Sequence, residues 1–433
     1  NNSFTIGCSE DDYKSLCADI ADQKLNTIVY AGCFEPKKLE NNFAMLETEL
    51  EKGDYGLFML TKALIKSKIK GNIDVIVLTD HAALVTSSEK TVKPENTSLV
   101  GVAKCITQEY TNLVTKIIDS DEITTTETIL NEMLSEEHCE YVAFRGTDRY
   151  EECLVKFERT NQMEEIPLDI SEGCVLITGG TGGLGIETVK YIAEKGSANI
   201  CLISRSAFPD ENEWQQILDE DSNKKLCAAV SAILSLREAG INVFTRKADV
   251  ANKADMRTLI LALEKEFGYV SAVIHCAGIA GEGFMVNKHI DTFKNVISPK
   301  VHGTKILDEV LDWNKVKLFV AFSSMTSLMG GAGQSDYTAA NAYLDGFAQQ
   351  SALIGKPVVT LNWSAWSETG MAVDYKVADK YTIFRSVDNK TAITFLNDAI
   401  TYRLRNVVPA EINYSALAML ENGLPLNVAR NIQ

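Results

Sequence analysis

Tyr337 follows Ser324 by thirteen positions, in the run Phe322-Ser-Ser-Met-Thr-Ser-Leu-Met-Gly-Gly-Ala-Gly-Gln-Ser-Asp-Tyr337. A hydroxyl after an apolar run and a phenol opening a small-residue segment, 338–349, are the groups that reduction of a ketone asks for. Such a reaction needs a hydride donor, an acid to protonate the forming alkoxide, and donors that polarise the carbonyl. A free tyrosine has a pKa near ~10, and a neighbouring cation lowers it toward neutral pH. A site for the hydride donor has its own signature upstream. Val175-Leu-Ile-Thr-Gly-Gly-Thr-Gly-Gly-Leu-Gly185 carries an apolar strand into Gly179, Gly180, Gly182, Gly183 and Gly185, then into a helix over 186–193. Glycines at that spacing permit a tight strand-to-helix turn and let the backbone approach a pyrophosphate, which the helix start then meets with amide donors. Gly179, Thr181, Gly182, Gly183, Leu184 and Gly185 are therefore expected to hold a dinucleotide. The next strand ends Leu202-Ile-Ser-Arg205. An acid there would bind a ribose 2′-hydroxyl, whereas Ser204 and Arg205 suit a 2′-phosphate, so the expected cofactor is NADPH. Asp249 and Val250, after a further strand, are placed to meet the adenine. Cys276, Ala277 and Gly278 follow His275 as small residues suited to pass beneath a nicotinamide ribose.

These groups require strands to carry them. Cys174-Val-Leu-Ile-Thr178, 199–204, 241–244, 272–275, 318–322 and 358–362 read as buried strands with helices between, the rhythm of a doubly wound parallel sheet. The first part of the chain repeats that rhythm without a glycine-rich turn. Its strands are expected at Thr27–Tyr30, Ile73-Asp-Val-Ile-Val-Leu78, 140–145 and 153–157, with helices at 43–60 and 99–106. The expected fold is α/β with two Rossmann-like subdomains. The boundary is expected near Thr160-Asn-Gln-Met-Glu-Glu-Ile-Pro167, with no long linker, so the halves should adjoin closely.

The chain has 433 residues, enough for two domains. Its formal charge is 42 − 59 = −17, which argues against nucleic acid or an anionic membrane as partner. No segment has the ~20 apolar residues of a membrane span. The start, Asn1-Asn2-Ser3-Phe4, has neither a basic nor an apolar leader region and lacks an initiator Met, which suggests an excised piece. Ten cysteines without a Cys-x-x-Cys pair read as reduced core residues of a cytoplasmic protein, and the five histidines (81, 138, 275, 289, 302) are too scattered for a local metal motif.

Taken together, the motifs resemble the short-chain dehydrogenase/reductases, and within them the ketoreductase domains of modular polyketide synthases. Most short-chain reductases place a Lys four residues after the Tyr; here that position is Asn341, and a lysine stands instead at Lys300, in Ser298-Pro-Lys-Val-His-Gly303. Polyketide ketoreductases show the same exchange. The resemblance implies that Tyr337 donates the proton, Ser324 polarises the carbonyl, Lys300 lowers the phenol pKa and orients the nicotinamide ribose, and Asn341 holds Lys300 and a relay water. It implies that residues 1–172 are a structural subdomain without cofactor and 173–433 the catalytic one. The insertion 208–225 is similar to versions in assembly lines whose acyltransferase acts in trans.

The substrate implied is a β-ketoacyl thioester on an acyl carrier protein, reduced within a larger polypeptide of neighbouring synthase domains. Alcohol configuration is the ambiguous part. Ala280-Gly281-Glu282 stands where one class carries Leu-Asp-Asp, and Met329 stands where the other carries Trp. Glu282 keeps the last carboxylate and so leans to the first class. Gln334 and Met371 are expected in the groove. Trp366, like Trp363, is equally suited to core or groove. The alternatives from other classes are a redox-inactive relative that epimerises an α-substituent and a non-catalytic NADP-binding scaffold.

Overall fold

The computed structural model describes residues 4–21, 25–34, 43–67, 69, 71–137, 139–160, 163–196, 199–374, 382–417 and 427–428. Two sheets form the frame. The first has β1 (Thr27–Tyr30), β2 (Ile73–Asp80), β3 (Leu113–Ser120), β4 (Tyr141–Arg145) and β5 (Asp148–Glu151), in that spatial order. The first four are parallel, and β5 returns antiparallel to β4 through the tight turn at Gly146, whose φ is +63°. A two-residue strand, β6 (Cys153–Leu154), follows. The second sheet has β7 (Cys174–Thr178), β8 (Asn199–Ser204), β9 (Asn242–Lys247), β10 (Val270–His275), β11 (Leu318–Ser324) and β12 (Val358–Trp363), all parallel, in the order β12-β11-β10-β7-β8-β9. The last strand, β13 (Asn427–Val428), pairs with β6.

The order of the second sheet explains where a ligand belongs. The chain lays down β7, β8 and β9 to one side, then crosses over and lays down β10, β11 and β12 to the other. The crevice between the carboxyl ends of β7 and β10 is where open sheets of this kind take ligands. Both faces of the sheet are covered, so β7, β10, β11 and β12 are buried at every residue, which is why they read as unbroken apolar runs.

Several expected boundaries moved for identifiable reasons. The helix expected over 43–60 is two helices, Phe43–Leu50 and Gly56–Lys66, joined by a π-helical turn at Glu51–Tyr55. There Tyr30 inserts its phenol, donating to the carbonyls of Lys52 and Gly53 and widening the turn. The helix expected at 99–106 begins earlier, at Pro94, which takes the first helical turn where its missing N–H costs nothing, and ends at Lys104. The strand expected at 153–157 stops at Leu154 because Val155 and Phe157 are exposed. Of the expected boundary segment, residues 161–162 lie outside the described residues, as does His138. The remainder runs along the second half: Arg159 pairs with Asp398 at 3.0 Å, Ile166 N donates to Thr401 O, and Ile170 is 1% exposed in the second core.

No linker separates the halves. One apolar core contains Leu57, Phe58 and Leu99 from the first and Phe293, Phe319 and Leu344 from the second. The helix Pro94–Lys104 lies on the helix Ser335–Leu353, with Gly101 over Ala339 and Gly346 over Thr97. Among the described residues no helix is long and apolar enough to cross a membrane, and no cluster of potential metal ligands occurs. Six cysteines are buried, Cys139 and Cys276 are half-buried, and Cys8 and Cys153 are exposed, so those last two fall outside the expected core placement.

Candidate active site

The glycine turn is built as its spacing predicts. β7 ends at Thr178, and Gly179 takes φ +65°, a conformation that favours glycine. A Cβ there would stand 3.0 Å from the backbone of Ala277, and one at Gly185 would stand 2.6 Å from the Gly179 carbonyl. The helix that follows, Gly183–Glu194, has Gly182 as its cap in extended conformation with no side chain bonding its first amides. Those amides form an anion site by geometry and dipole together. Beside the turn opens a cavity of about 150 Å³. Gly179, Ser204, Arg205, Asp249, Val250, Ala277 and Gly278 all line it, so residues spread over a hundred positions of sequence converge at the switch point. Ile203, Ala248, Ile279 and Pro299 line it too. Their only signal in the sequence is adjacency to the expected residues.

The polar side chains lining the cavity are Thr178, Ser204, Arg205 and Asp249. Arg205 is exposed and has no ion-pair or hydrogen-bond partner among the described residues. Asp249 accepts from Ala251 N through Oδ1. Cys276 does not line the cavity; its amide donates to Thr178 O, and burial pushes its thiol up to about 12. His275 is wholly buried at the end of β10, its Nδ1 2.6 Å from Thr178 Oγ1. Thr178 Oγ1 in turn accepts from Ala277 N at 3.2 Å. The imidazole thus sets the chain that passes along the cavity floor.

The four residues expected to be catalytic come from three elements. Ser324 is the last residue of β11, still within the strand, and its Oγ accepts from Thr326 N at 3.3 Å. Tyr337 and Asn341 lie one turn apart on the helix Ser335–Leu353, and Asn341 Nδ2 donates to the Tyr337 carbonyl at 2.7 Å. Lys300 is the residue capping the helix Val301–Val310, just beyond the helix Ile290–Ile297. It is 4% exposed, its Nζ donates to the Phe322 carbonyl, and its stem runs under Gly278, where a Cβ would stand 2.9 Å from Lys300 Cε. Lys300 therefore reaches the strand carrying Ser324 and the floor of the cavity at once.

Electrostatics refine the expectation for Tyr337. Burial pushes its phenol above the ordinary value, and the neighbouring side chains of Ser324 and Asn341 pull it part of the way back. Lys300, expected to lower the phenol, is not among the groups that do so; its ammonium donates to the Phe322 carbonyl. Burial itself lowers Lys300 to about 8. Asn341 Oδ1 is buried with no partner among the described residues, an acceptor left open on the side of the helix that carries Tyr337.

The expected groove residues divide. Glu282 is exposed, on the loop between β10 and the helix Ile290–Ile297. Met329 and Gln334 are half-buried on the segment before Tyr337, and Met371 is half-buried where the short helix Met371–Asp374 begins. Trp366 is 2% exposed and sits edge-on to Trp363 at 5.0 Å in the second core, the core being one of its two expected placements. Sequence reading missed three polar groups here: Glu109, Lys288 and Asp336. Lys288 and Asp336 form a fully buried ion pair, Nζ to Oδ1 2.6 Å, and the same Oδ1 accepts from Tyr337 N at 2.9 Å. The adjacency of Asp336 to Tyr337 was their one visible signal.

Residues 173–368 match the family model described as KR domain, and residues 1–137 match one described as β-ketoacyl synthase-like, N-terminal. A 6-methylsalicylic acid synthase of Aspergillus terreus is 33% identical over 202 residues, 46% of this chain and 11% of its own length. The polyketide synthase PksN of Bacillus subtilis is 29% identical over 327 residues, 73% of this chain and 6% of its own. The chain thus spans a small fraction of these relatives. In three dimensions it is similar to A-type ketoreductases from a modular polyketide synthase (TM-score 0.80, 21% identity, 96% of this chain and 85% of that one). It is likewise similar to an N-terminal ketoreductase from the macrolactin assembly line (TM-score 0.75, 22% identity, 95% and 79%).

Proposed function

We propose that this chain, whose residues 173–368 match the family model described as KR domain, reduces a β-ketoacyl thioester, carried on an acyl carrier protein, to the β-hydroxyacyl thioester with NADPH. What supports this is a cavity lined by seven of the expected cofactor residues, with Lys300 running from its floor at Gly278 to the strand that ends in Ser324, and Tyr337 and Asn341 one turn apart on the helix Ser335–Leu353. Arg205, unpaired at the rim, supports a 2′-phosphate over a plain ribose. The glycine turn and the uncapped amides of the helix Gly183–Glu194 would hold the pyrophosphate. Bound there, the nicotinamide supplies the hydride that adds to the β-carbon.

The rest of the step belongs to this chain. Ser324 Oγ–H donates to the β-carbonyl oxygen, drawing charge onto it. Tyr337 gives its proton to that oxygen as the C–H bond forms, so hydride and proton together convert ketone to alcohol. A phenol raised by burial stays protonated until the alkoxide needs it. The tyrosinate left behind takes its proton back from a water held at the open acceptor of Asn341, and that water is recharged by the Lys300 ammonium, which burial lowers to about 8. The thioester, its carrier and neighbouring domains of one synthase polypeptide are part of the same proposal.

The test is consumption of NADPH absorbance with a β-ketoacyl thioester of N-acetylcysteamine, followed by identification of the alcohol. Tyr337→Phe is expected to lower turnover by about 10²–10⁴-fold while leaving NADPH binding intact. Turnover by that variant at the parent rate would remove Tyr337 as the acid. An inert parent chain that exchanges the α-proton of the substrate would favour the epimerase reading, and one that only binds NADPH the scaffold reading.

A further inference from the structure

Two segments flank Tyr337. One is the loop from Cys276 to His289, which carries Glu282; the other, residues 330–336, leads into the Tyr337 helix and carries Gln334. The first has no regular structure and the second has it only at Ser335 and Asp336, where the Tyr337 helix begins, and each turns on glycines at positive φ: Gly283 at +87°, Gly330 at +72° and Gly333 at +79°. They lie face to face. A Cβ at Gly281 would stand 3.0 Å from Tyr337 Cβ, and one at Gly333 would stand 3.7 Å from the Gly283 backbone. Segments of this kind keep a fixed separation only where something ties them.

The tie comes from the half of the chain that has no glycine turn. Glu109, the last residue of the helix Ile106–Glu109, accepts from Met285 N through Oε2 at 2.6 Å and from Gly333 N through Oε1 at 3.1 Å. One carboxylate thus holds one backbone donor from each segment. A second strut lies beneath it. Lys288 Nζ, from the first segment, donates to Asp336 Oδ1 at 2.6 Å and to Gly333 O at 3.4 Å in the second, and Lys62 of the first half donates to the Lys288 carbonyl at 2.7 Å. Nearby, Gln108 Nε2 donates to Met329 O at 2.6 Å.

We propose that Glu109 is a positioning residue for substrate: its carboxylate fixes the spacing of the two segments flanking Tyr337 and so sets how the acyl chain is received. The inference rests on the ketone-reducing reading for its kinetic consequence and on geometry alone for the clamp. Bidentate acceptance is what the site demands. Met285 N and Gly333 N each meet a different oxygen of Glu109, so in this geometry the side chain needs an acceptor at both positions.

Glu109→Gln keeps the shape and replaces one acceptor with a donor, which frees one of the two amides. Hydrogen–deuterium exchange in the intact chain is expected to accelerate by ~10-fold or more at residues 283–287 and 331–335 while β7 keeps its parent rate. In steady-state reduction of the N-acetylcysteamine thioester, KM is expected to rise by ~5–20-fold with kcat changed less than ~3-fold, and NADPH affinity to stay within ~2-fold. The alcohol should also lose configurational purity. Parent exchange rates at both segments would overturn the clamp. Exchange loosened throughout, or kcat and NADPH affinity falling alongside KM, would overturn it too, since that marks general destabilisation. If Glu109→Ala does not fold, Glu109→Gln still decides. If the parent chain reduces no thioester, it is the functional reading that fails, and the exchange comparison decides the clamp by itself.

Discussion

His275 shows how a single residue beneath the site is tied to the stability of the whole. It is enclosed at the end of β10, and burial, with a smaller contribution from the Lys300 charge, lowers it to about 3. The folded chain therefore refuses a proton that the unfolded chain accepts near pH 6.5. The sign follows: the contribution is complete above about pH 6.5 and is lost progressively as pH falls toward 3. While the unfolded state alone is protonated, stability declines by up to ~1.4 kcal/mol per pH unit. His275→Asn, which cannot titrate, is expected to flatten the acid limb between pH 6.5 and 4.5 in denaturant midpoints, even if it lowers the plateau through the lost bond to Thr178. Equal slopes for parent and variant would show that His275 is not the titrating group. Residue types and spacing singled out Ser324, Tyr337 and Asn341 as a candidate acid–base group because they are close in sequence, and the glycine turn because it is local. They did not reveal Glu109 or Lys288. Glu109 meets partners 176 and 224 positions away, and a lone acid on a short helix carries no mark of what it will face. Nor did they show that burial would set the Tyr337 phenol, since burial belongs to the fold.

At the scale of elements, the Tyr337 helix is held by what its neighbour lacks. The helix Ser335–Leu353 is buried on nearly every side through Ala348, which requires small residues wherever another backbone crosses. Gly101 is one such crossing. A Cβ there would stand 3.0 Å from Ala339 Cα, from Ala342 Cβ and from the Thr338 carbonyl, two of them backbone atoms that cannot rotate away. Ser98, a turn earlier, donates to the Ala339 carbonyl at 3.1 Å and fixes the same crossing. Gly101→Ala is thus an overpacking change expected to cost about 1–3 kcal/mol. It presses on the turn that follows Tyr337, so turnover should fall beyond what the unfolded fraction explains. Unchanged denaturant midpoint and turnover together would mean the helices separate freely. The sequence could place both helices within a few residues, since their apolar and small residues set the pattern, but not that they cross. Contact between elements 240 positions apart leaves no local periodicity.

For the molecule as a whole, the question is whether the half without a glycine turn is an appendage or part of one folding unit. The acidity divides the chain unevenly. Residues 119–169 hold fifteen acids and four bases, 4 − 15 = −11, whereas 270–372 hold eight acids and seven bases, 7 − 8 = −1. Among the described residues, several of those fifteen acids pair within the first half, Asp119 with Arg145, Glu132 and Glu151 with Arg149, and Glu152 with Lys104, while Asp169 meets Lys317 of the second half at 3.3 Å. The apolar core also crosses the boundary. Phe293 of the second half has its ring centroid 4.9 Å from Phe58 and 6.0 Å from Tyr55 of the first, the latter edge-on. All three are 2% exposed or less, and the Glu109 and Lys62 bonds cross at the same junction. Two units sharing a core of that kind unfold together, because separation would expose both sides at once. Phe293→Ala is expected to cost about 3–5 kcal/mol and to shift one common transition. Fluorescence of the four tryptophans at 214, 313, 363 and 366 reports the second half alone. Amide exchange in β2 and β3 reports the first. Both signals should move to the same lower denaturant midpoint in the variant. A variant in which the tryptophan signal shifts while β2 and β3 keep the parent midpoint would show two independently stable domains, and the first half would then act on the site only through its polar struts.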